Sequence, residues 1–198
     1  MAQKQARAQE TRSMIMAAAM RLAEWKEIDA ITVRDICTEA GVSVGAFYHH
    51  FTSRQELYQL AHEGFDQEVE RRIAARQDCS ARDTLEELLL FQVSYISRQA
   101  QGVIAQYYRA ILAGSVHAAV RQDRPYYRAV YCCCQQLAQS GQLRPEIHPE
   151  QAAELCILTT RGTLIDWCLH GQSYDVIQKI RTIIPVLLRG LLEDPGNE

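Results

Sequence analysis

The sequence has little glycine or proline and no long hydrophobic run. Its 198 residues include 10 Gly and 5 Pro, which lie mostly between segments of regular hydrophobic spacing and so favour long helices. No apolar run reaches the roughly 18 residues that a membrane-spanning helix needs, and no sustained apolar–polar alternation indicates a strand. Because 47% of the residues are hydrophobic and 23% are charged, we expect a folded, all-α protein with no membrane partner.

The sequence also lacks an excess of positive charge. Its 21 Lys and Arg residues are outnumbered by 24 Asp and Glu residues, which gives a net charge of −3. The distribution is more informative than the sum, because no carboxylate lies between Glu39 and Glu56, whereas His49, His50 and Arg54 do. This window is therefore the part of the N-terminal region that is best suited to an anionic partner.

The seven cysteines show no pattern typical of disulfides or zinc. Their number is odd and no C-x-x-C pair occurs, while Cys132, Cys133 and Cys134 would point about 100° apart on a helix and cannot share one metal ion. The polar segment from Met1 to Arg12 has no apolar stretch of the kind found in secretory signals. We therefore expect reduced thiols in a cytoplasmic protein, with no metal and no cofactor.

Hydrophobic periodicity predicts helices along almost the whole chain. The first is expected over about residues 9–26, where Ile15, Ala18 and Leu22 belong to one apolar stripe. Capping residues and glycines predict two further short helices and a long fourth helix that begins at Ser53. About five longer helices follow, and the predicted spans are 32–40, 43–50, 53–73, 80–96, 103–113, 125–141, 149–170 and 174–192.

The two short helices predict a helix-turn-helix. They are joined through Gly41, a residue that takes the left-handed conformation at no steric cost, and Ser43 caps the second of them. Phe47 points into the core of this unit. The outward positions of the third helix are then small, uncharged or polar, which suits insertion into the major groove of DNA; they are Val44, Gly45, Ala46, Tyr48 and His49.

The residues from about Arg12 to Leu60 resemble the DNA-binding domain of the TetR family of bacterial regulators. The resemblance is carried by Thr32-Val33-x-x-Ile36, Ala40-Gly41-Val42-Ser43, Gly45-x-Phe47-Tyr48-x-His50-Phe51 and Arg54-x-x-Leu57. It implies a helix-turn-helix domain over residues 1–55 and a helical ligand-binding and dimerisation domain over residues 56–198. It also implies a transcription regulator, most simply a repressor, that binds a palindromic operator as a homodimer and is released by a small-molecule effector.

The resemblance implies a role for each residue of the motif. Ser43, Val44, Gly45 and Ala46 would lie in the groove, and phosphates would be held by Thr32, Arg34, Tyr48, His49 and Arg54, which are suitable donors. Three positions depart from the family pattern. Arg54 stands where lysine is usual, Ala46 stands where threonine is frequent, and Glu27 stands near a customary glycine.

One motif suggests a different chemistry. Residues 41–45 match G-x-S-x-G, which in α/β-hydrolases holds a nucleophilic serine after a strand. A helix precedes Ser43 here and no sheet is predicted, so we do not expect an enzyme.

The resemblance places dimerisation on the last two long helices. Their apolar and small residues are candidates for the interface, since DNA half-sites related by two-fold symmetry call for a dimer; the candidates are Leu155, Leu158, Thr159, Gly162, Ile165, Ile180, Ile183, Ile184 and Leu187.

A ligand pocket is expected among the central helices, where aromatic bodies and polar tips are mixed. Its candidate residues are Phe91, Tyr95, Ile104, Tyr107, Tyr108, Ile111, Tyr127, Tyr131, Cys134 and Trp167. A ligand that tilts the long fourth helix would change the spacing of the two recognition helices. The alternative is a thiol-based redox switch in the same fold, using Cys132 to Cys134 or Cys168.

Overall fold

A computed structural model describes residues 2–23, 26, 30–54, 63–76, 79–98, 108 and 121–193. These ranges contain eight α-helices and no named strand, which confirms the predicted all-α class; Leu143 and Leu192 form an isolated antiparallel bridge. The helices are α1 (Ala2–Ala23), α2 (Val33–Ala40), α3 (Val44–His50), α4 (Glu63–Ala74), α5 (Ala81–Ser97), α6 (Pro125–Gln139), α7 (Pro149–Leu169) and α8 (Val176–Leu191). None of these described helices has the length and apolar character needed to cross a membrane.

The chain divides into two compact units. The N-terminal unit comprises Met1–Glu63 and Gln99–Ala119, and the C-terminal unit comprises Gly64–Arg98 and Val120–Glu198. Helices α1 to α3 belong to the first unit, and α5 to α8 belong to the second together with nearly all of α4. The domain boundary expected between residues 55 and 56 lies outside the described residues and stays a prediction.

The core of the N-terminal unit is built by α1, α2 and α3. Ile15 and Leu22 of α1 pack with Ile36 of α2 and Phe47 of α3, and Phe51 closes the cluster after α3. All five side chains are buried. Because burying one large apolar side chain contributes about 1.5–3 kcal/mol, this cluster fixes the arrangement of the three helices.

Helix α1 begins earlier than the periodicity predicts. It starts at Ala2 instead of about residue 9. From residue 7 onward, where burial is described, the first buried side chain of the helix is Ile15, so hydrophobic spacing marks the packed part. The preceding segment is rich in Ala, Gln, Lys and Arg, which favour helix without burial.

Capping groups set the ends of α2 and α3. The Thr32 Oγ1 accepts the Asp35 backbone amide at 3.1 Å, and the Asp35 carboxylate accepts the Thr32 amide at 2.8 Å, which confirms the predicted capping box. Gly41 ends α2 with φ 68°, a left-handed conformation that glycine takes readily. Ser43 Oγ then accepts the Ala46 amide at 3.1 Å and starts α3.

The C-terminal unit is a bundle in which α5 packs against α6, α7 and α8. Pro125 and Pro149 begin α6 and α7, as predicted, because proline is tolerated in the first turn. Helix α8 starts at Val176 and not at residue 174, since the Asp175 carboxylate accepts the Ile177 and Gln178 amides. The predicted helix over 103–113 lies outside the described residues, apart from residue 108.

Replacing Phe47 with Ala should destabilise the N-terminal unit by about 3–5 kcal/mol, because it leaves a cavity beneath α3. The matched control is Tyr48→Ala at the next position, whose side chain is 57% exposed; its loss should change stability by less than about 1 kcal/mol. Urea unfolding of both variants provides the measurement. Similar losses for the two variants would contradict the packing described here.

Candidate nucleic-acid interface

The outer side of α3 is open to solvent. Tyr48 is 57% and Val44 is 40% exposed, and Ser43, Gly45 and His49 are also exposed, whereas Ala46 is half-buried. Beneath them the Phe47 ring contacts the rings of Tyr48 and Phe51, with centroids 5.4 and 5.5 Å away. The buried phenylalanine therefore determines which side of this short helix faces outward.

Gly45 has no packing role within its own unit. A Cβ built at this position would meet only the Ser43 Oγ, at 3.8 Å, which is ordinary van der Waals contact. Its φ is not positive, and a glycine inside a helix costs about 1 kcal/mol relative to alanine. A glycine with no internal reason is suited to the close approach of an external surface.

The helix before α3 presents little uncompensated negative charge. Lys26 Nζ lies 2.8 Å from the Asp35 carboxylate, and Arg21 Nε lies 2.8 Å from Glu39. The hydrogen bond from Lys26, followed by those of the Thr32 amide and side chain, lowers the pKa of Asp35 to about 2. Asp35 is thus ionised at neutral pH but paired, and it repels an approaching phosphate less than a solitary carboxylate would.

The two arginines expected to hold phosphates occupy different settings. Arg34 is exposed on α2. Arg54 is half-buried, and its Nη1 donates to the Ile31 carbonyl oxygen at 2.6 Å. Arg54 therefore braces the turn that precedes α2, a role that spacing alone did not indicate, and its phosphate contact stays a prediction.

Arg12 is a residue that the sequence interpretation did not assign to the site. Its guanidinium carbon lies 5.5 Å from the centroid of the Phe51 ring, at the end of α3. Burial, and then the charges of His49 and Arg12, lower the pKa of His50, so that His50 is neutral at pH 7. The signal available in the sequence was the position of Arg12, one helical turn before buried Ile15.

The residues proposed for dimerisation separate into two groups. Leu158 is 59% exposed, Leu155 and Gly162 are also exposed, and the half-buried members are Thr159, Ile165, Ile183 and Leu187. Ile180 and Ile184 are buried in the core of the C-terminal unit, and a place for them in an interface stays a prediction. These two residues lie between Val176 and Leu188 in a series that recurs every four residues. This series forms the core face of α8.

Apolar residues on α7 and α8 also remain uncovered beyond the predicted set. Leu169 and Val186 are exposed large hydrophobic side chains. Together with Leu155 and Leu158 they give this unit several uncovered apolar groups on its last two helices. A contiguous patch of such groups marks a surface that associates, whereas single scattered groups do not.

The residues expected to line a pocket are described only in part. Ile104, Tyr107 and Ile111 lie outside the described residues, and Tyr108 is half-buried. Phe91 and Tyr95 join an aromatic cluster that also contains Phe65.

The remaining pocket candidates have partners within the C-terminal unit. Tyr127 stacks on Tyr131, whose hydroxyl donates to Glu150 at 2.8 Å on a solvent-accessible part of α6 and α7. Trp167 Nε1 donates to the Tyr174 carbonyl oxygen at 2.8 Å, and Cys134 is fully buried. Tyr127 and Tyr131 are therefore placed at the surface of the bundle and not in a shared interior site.

The helix-turn-helix with an outward, uncharged recognition helix defines the class of the protein, a DNA-binding regulator. Residues 15–61 match the family model described as "Bacterial regulatory proteins, tetR family". This segment is a DNA-binding domain of the TetR type, and along its length the chain is similar to transcriptional regulators.

Similar proteins extend over nearly the whole chain. The transcriptional repressor BepR of Brucella suis biovar 1 is 26% identical over 97% of this chain and 96% of its own length. FadR from Bacillus subtilis, solved in complex with stearoyl-CoA, has a TM-score of 0.66 at 17% identity and covers 90% of this chain and 98% of its own. The SmeT–triclosan complex has a TM-score of 0.67 at 19% identity and covers 96% of this chain and 95% of its own. The two structures establish a shared fold.

Replacing Arg34 with Gln should weaken binding to every duplex and make the slope of log Kobs against log salt shallower by about 0.9, because one phosphate contact is lost. Fluorescence anisotropy over roughly 50 to 200 mM salt measures this slope. The control is Arg82→Gln, an exposed arginine on α5, which should leave the slope unchanged. Arg54→Ala should reduce the slope and also lower the unfolding temperature, since it removes the Ile31 contact. An unaltered slope in Arg34→Gln would exclude Arg34 from the interface.

Proposed function

We propose that this protein represses transcription by binding a palindromic operator as a homodimer, and that a small-molecule effector releases it. The observation that supports the proposal best is the exposed face of α3, where a Cβ built on Gly45 would meet only the Ser43 Oγ among the described residues. DNA binding is assigned to residues 1–55, and effector binding and dimerisation are assigned to residues 56–198. Such a regulator would act in the cytoplasm.

On the operator, the first turn of α3 would approach base edges. Val44 and half-buried Ala46 offer apolar groups suited to thymine methyls, and the unpaired first-turn amides of the helix suit phosphate or base acceptors. Ser43 and Gly45 allow the close approach. Phosphates would be held from both sides of the groove by Thr32, Arg34, Tyr48, His49 and Arg54, the last of which already braces the Ile31 carbonyl.

A homodimer would form through the exposed apolar faces of α7 and α8. Leu155, Leu158 and Val186 are large apolar side chains that lie uncovered in the chain by itself, and Gly162 would let helices approach closely. A two-fold axis through this face would pair two recognition helices. They would need to lie about 34–36 Å apart to enter successive major grooves.

Release by a small molecule is supported by the relatives. BepR is a repressor by name, and SmeT and FadR were solved with triclosan and stearoyl-CoA. In this chain, an effector that changes the packing of α4 would alter the spacing of the two recognition helices. A coupling of about 1–3 kcal/mol would lower DNA affinity 5- to 150-fold without dissociating the dimer.

Three of the four cysteines named for a thiol switch are poorly suited to it, whereas the fourth, Cys132, is exposed. Burial raises the pKa of Cys133 to about 12. The hydrogen bond to Cys156, and then burial, raise the pKa of Cys134, and burial raises that of Cys168. Because the thiolate is the reactive species, these three cysteines are poorly suited to sense oxidants at neutral pH.

Replacing Leu158 with Asp should convert the dimer to a monomer and weaken operator binding by about 100-fold or more, because a monomer engages a single half-site. Sedimentation analysis and fluorescence anisotropy with a palindromic duplex measure the two effects. Ile73→Asp on α4 is the matched control, since Ile73 is also an exposed apolar side chain and its replacement should change neither result. A wild-type monomer, or a Leu158→Asp dimer that binds DNA normally, would contradict the proposal.

A further inference from the structure

Three of the buried polar side chains of the C-terminal unit belong to three different helices. Gln92 of α5, Tyr126 of α6 and Thr160 of α7 are all buried, and Tyr126 is only 4% exposed. The Thr160 hydroxyl donates to Gln92 Oε1 and also lies 3.1 Å from the Ile157 carbonyl oxygen. Its proton is therefore committed to these acceptors.

The Tyr126 hydroxyl is left without a hydrogen-bond partner among the residues that the structure describes. A buried donor that bonds to nothing is costly, and native proteins retain few such groups. Burial raises the pKa of Tyr126, and the Thr160 side chain, which is within hydrogen-bonding reach of the phenol oxygen, opposes this shift only in part. Tyr126 therefore stays a neutral phenol at physiological pH, with a proton available to an acceptor.

Aromatic rings lie beside this donor. The Tyr126 ring centroid is 5.2 Å from that of Phe65 on α4. Phe65 in turn stacks on Phe91, with a centroid distance of 5.5 Å and an angle of 9° between the rings. The centroid of the Tyr95 ring lies 5.3 Å from that of Phe65. Rings that pack in this way can also stack on a flat ligand.

We propose that the hydroxyl of Tyr126, next to Gln92 and Thr160, is the hydrogen-bonding subsite for an uncharged aromatic effector that carries a carbonyl or ether oxygen. The inference rests on the proposed effector-binding function and names the class of ligand. A neutral ligand is favoured because an unpaired charge is expensive to bury. The oxygen would accept the Tyr126 proton, and the aromatic part would lie against the Phe65 and Phe91 rings.

This position also connects the subsite to α4. Phe65 and Asp66 are adjacent on α4, and Asp66 receives two hydrogen bonds of 3.0 Å from Arg124, which directly precedes α6. Because Tyr126 is almost fully covered, a ligand must displace side chains that pack around it, and Phe65 of α4 is one of its ring contacts. Binding would therefore change the packing of α4 against the start of α6.

The test compares 2-acetonaphthone with 2-isopropenylnaphthalene, in which a methylene group replaces the carbonyl oxygen. Isothermal titration with the full-length wild-type protein should show about five- to tenfold tighter binding of the ketone, the contribution of one hydrogen bond. Tyr126→Phe should bind the two compounds equally, with unchanged affinity for the hydrocarbon. Tyr127→Phe, which alters the neighbouring tyrosine of α6, should keep the preference of the wild-type protein.

Thermal unfolding supplies a second readout. Tyr126→Phe should unfold at the same temperature as the wild type or at a higher one, because it deletes a donor without a partner; a lower temperature would show that the hydroxyl is already bonded and would overturn the inference. Equal binding of both compounds by the wild type would overturn the inference and leave the proposed function standing. If neither compound binds, the inference is overturned, while the proposed function would still stand on the response of DNA binding to effectors of another class.

Discussion

The burial of Phe47 beneath α3 is the constraint on which the DNA interface depends. A seven-residue helix is too short to be stable in water by itself, so its orientation must come from packing. Phe47, with Phe51 behind it, fixes α3 against Ile15 and Ile36. Once that side is committed to the core, the small and polar residues on the other side have to face solvent, and the helix N-terminus is left open to an acceptor.

The two units use their exposed residues in different ways. On the N-terminal unit, Asp35 and Glu39 are paired with Lys26 and Arg21, so a protein of net charge −3 still presents a surface that does not repel phosphate strongly. On the C-terminal unit, large apolar groups such as Leu158 are uncovered. The first surface suits a polyanion and the second suits another apolar face, which agrees with a DNA-binding dimer.

Sequence patterns predicted the features that arise from local interactions. The capping box at Thr32, the left-handed turn at Gly41 and the buried Phe47 each depend on a few adjacent residues, and all three are confirmed. The start of α1 was misplaced because helix propensity extends beyond the buried stripe. The burial of Ile180 within its own unit could not be predicted, because apolar spacing does not say which partner covers a helix face. The hydrogen bond from Arg54 to Ile31 could not be predicted either, because a contact between residues 23 positions apart leaves no local signal. The Tyr126 hydroxyl has no hydrogen-bond partner among the described residues, and this setting arises from contacts between separate helices, which no single segment reveals.

Amide hydrogen exchange on the wild-type protein, with and without a duplex selected from random DNA, tests the central claim most directly. The Val44 and Gly45 amides lie in the first turn of α3, where an amide has no acceptor within the helix, and in the free protein they should exchange rapidly. On the selected duplex we expect their exchange to slow markedly, while that of α6 stays unchanged. If the duplex binds and these two amides exchange as fast as before, the outer face of α3 is not the surface that contacts DNA.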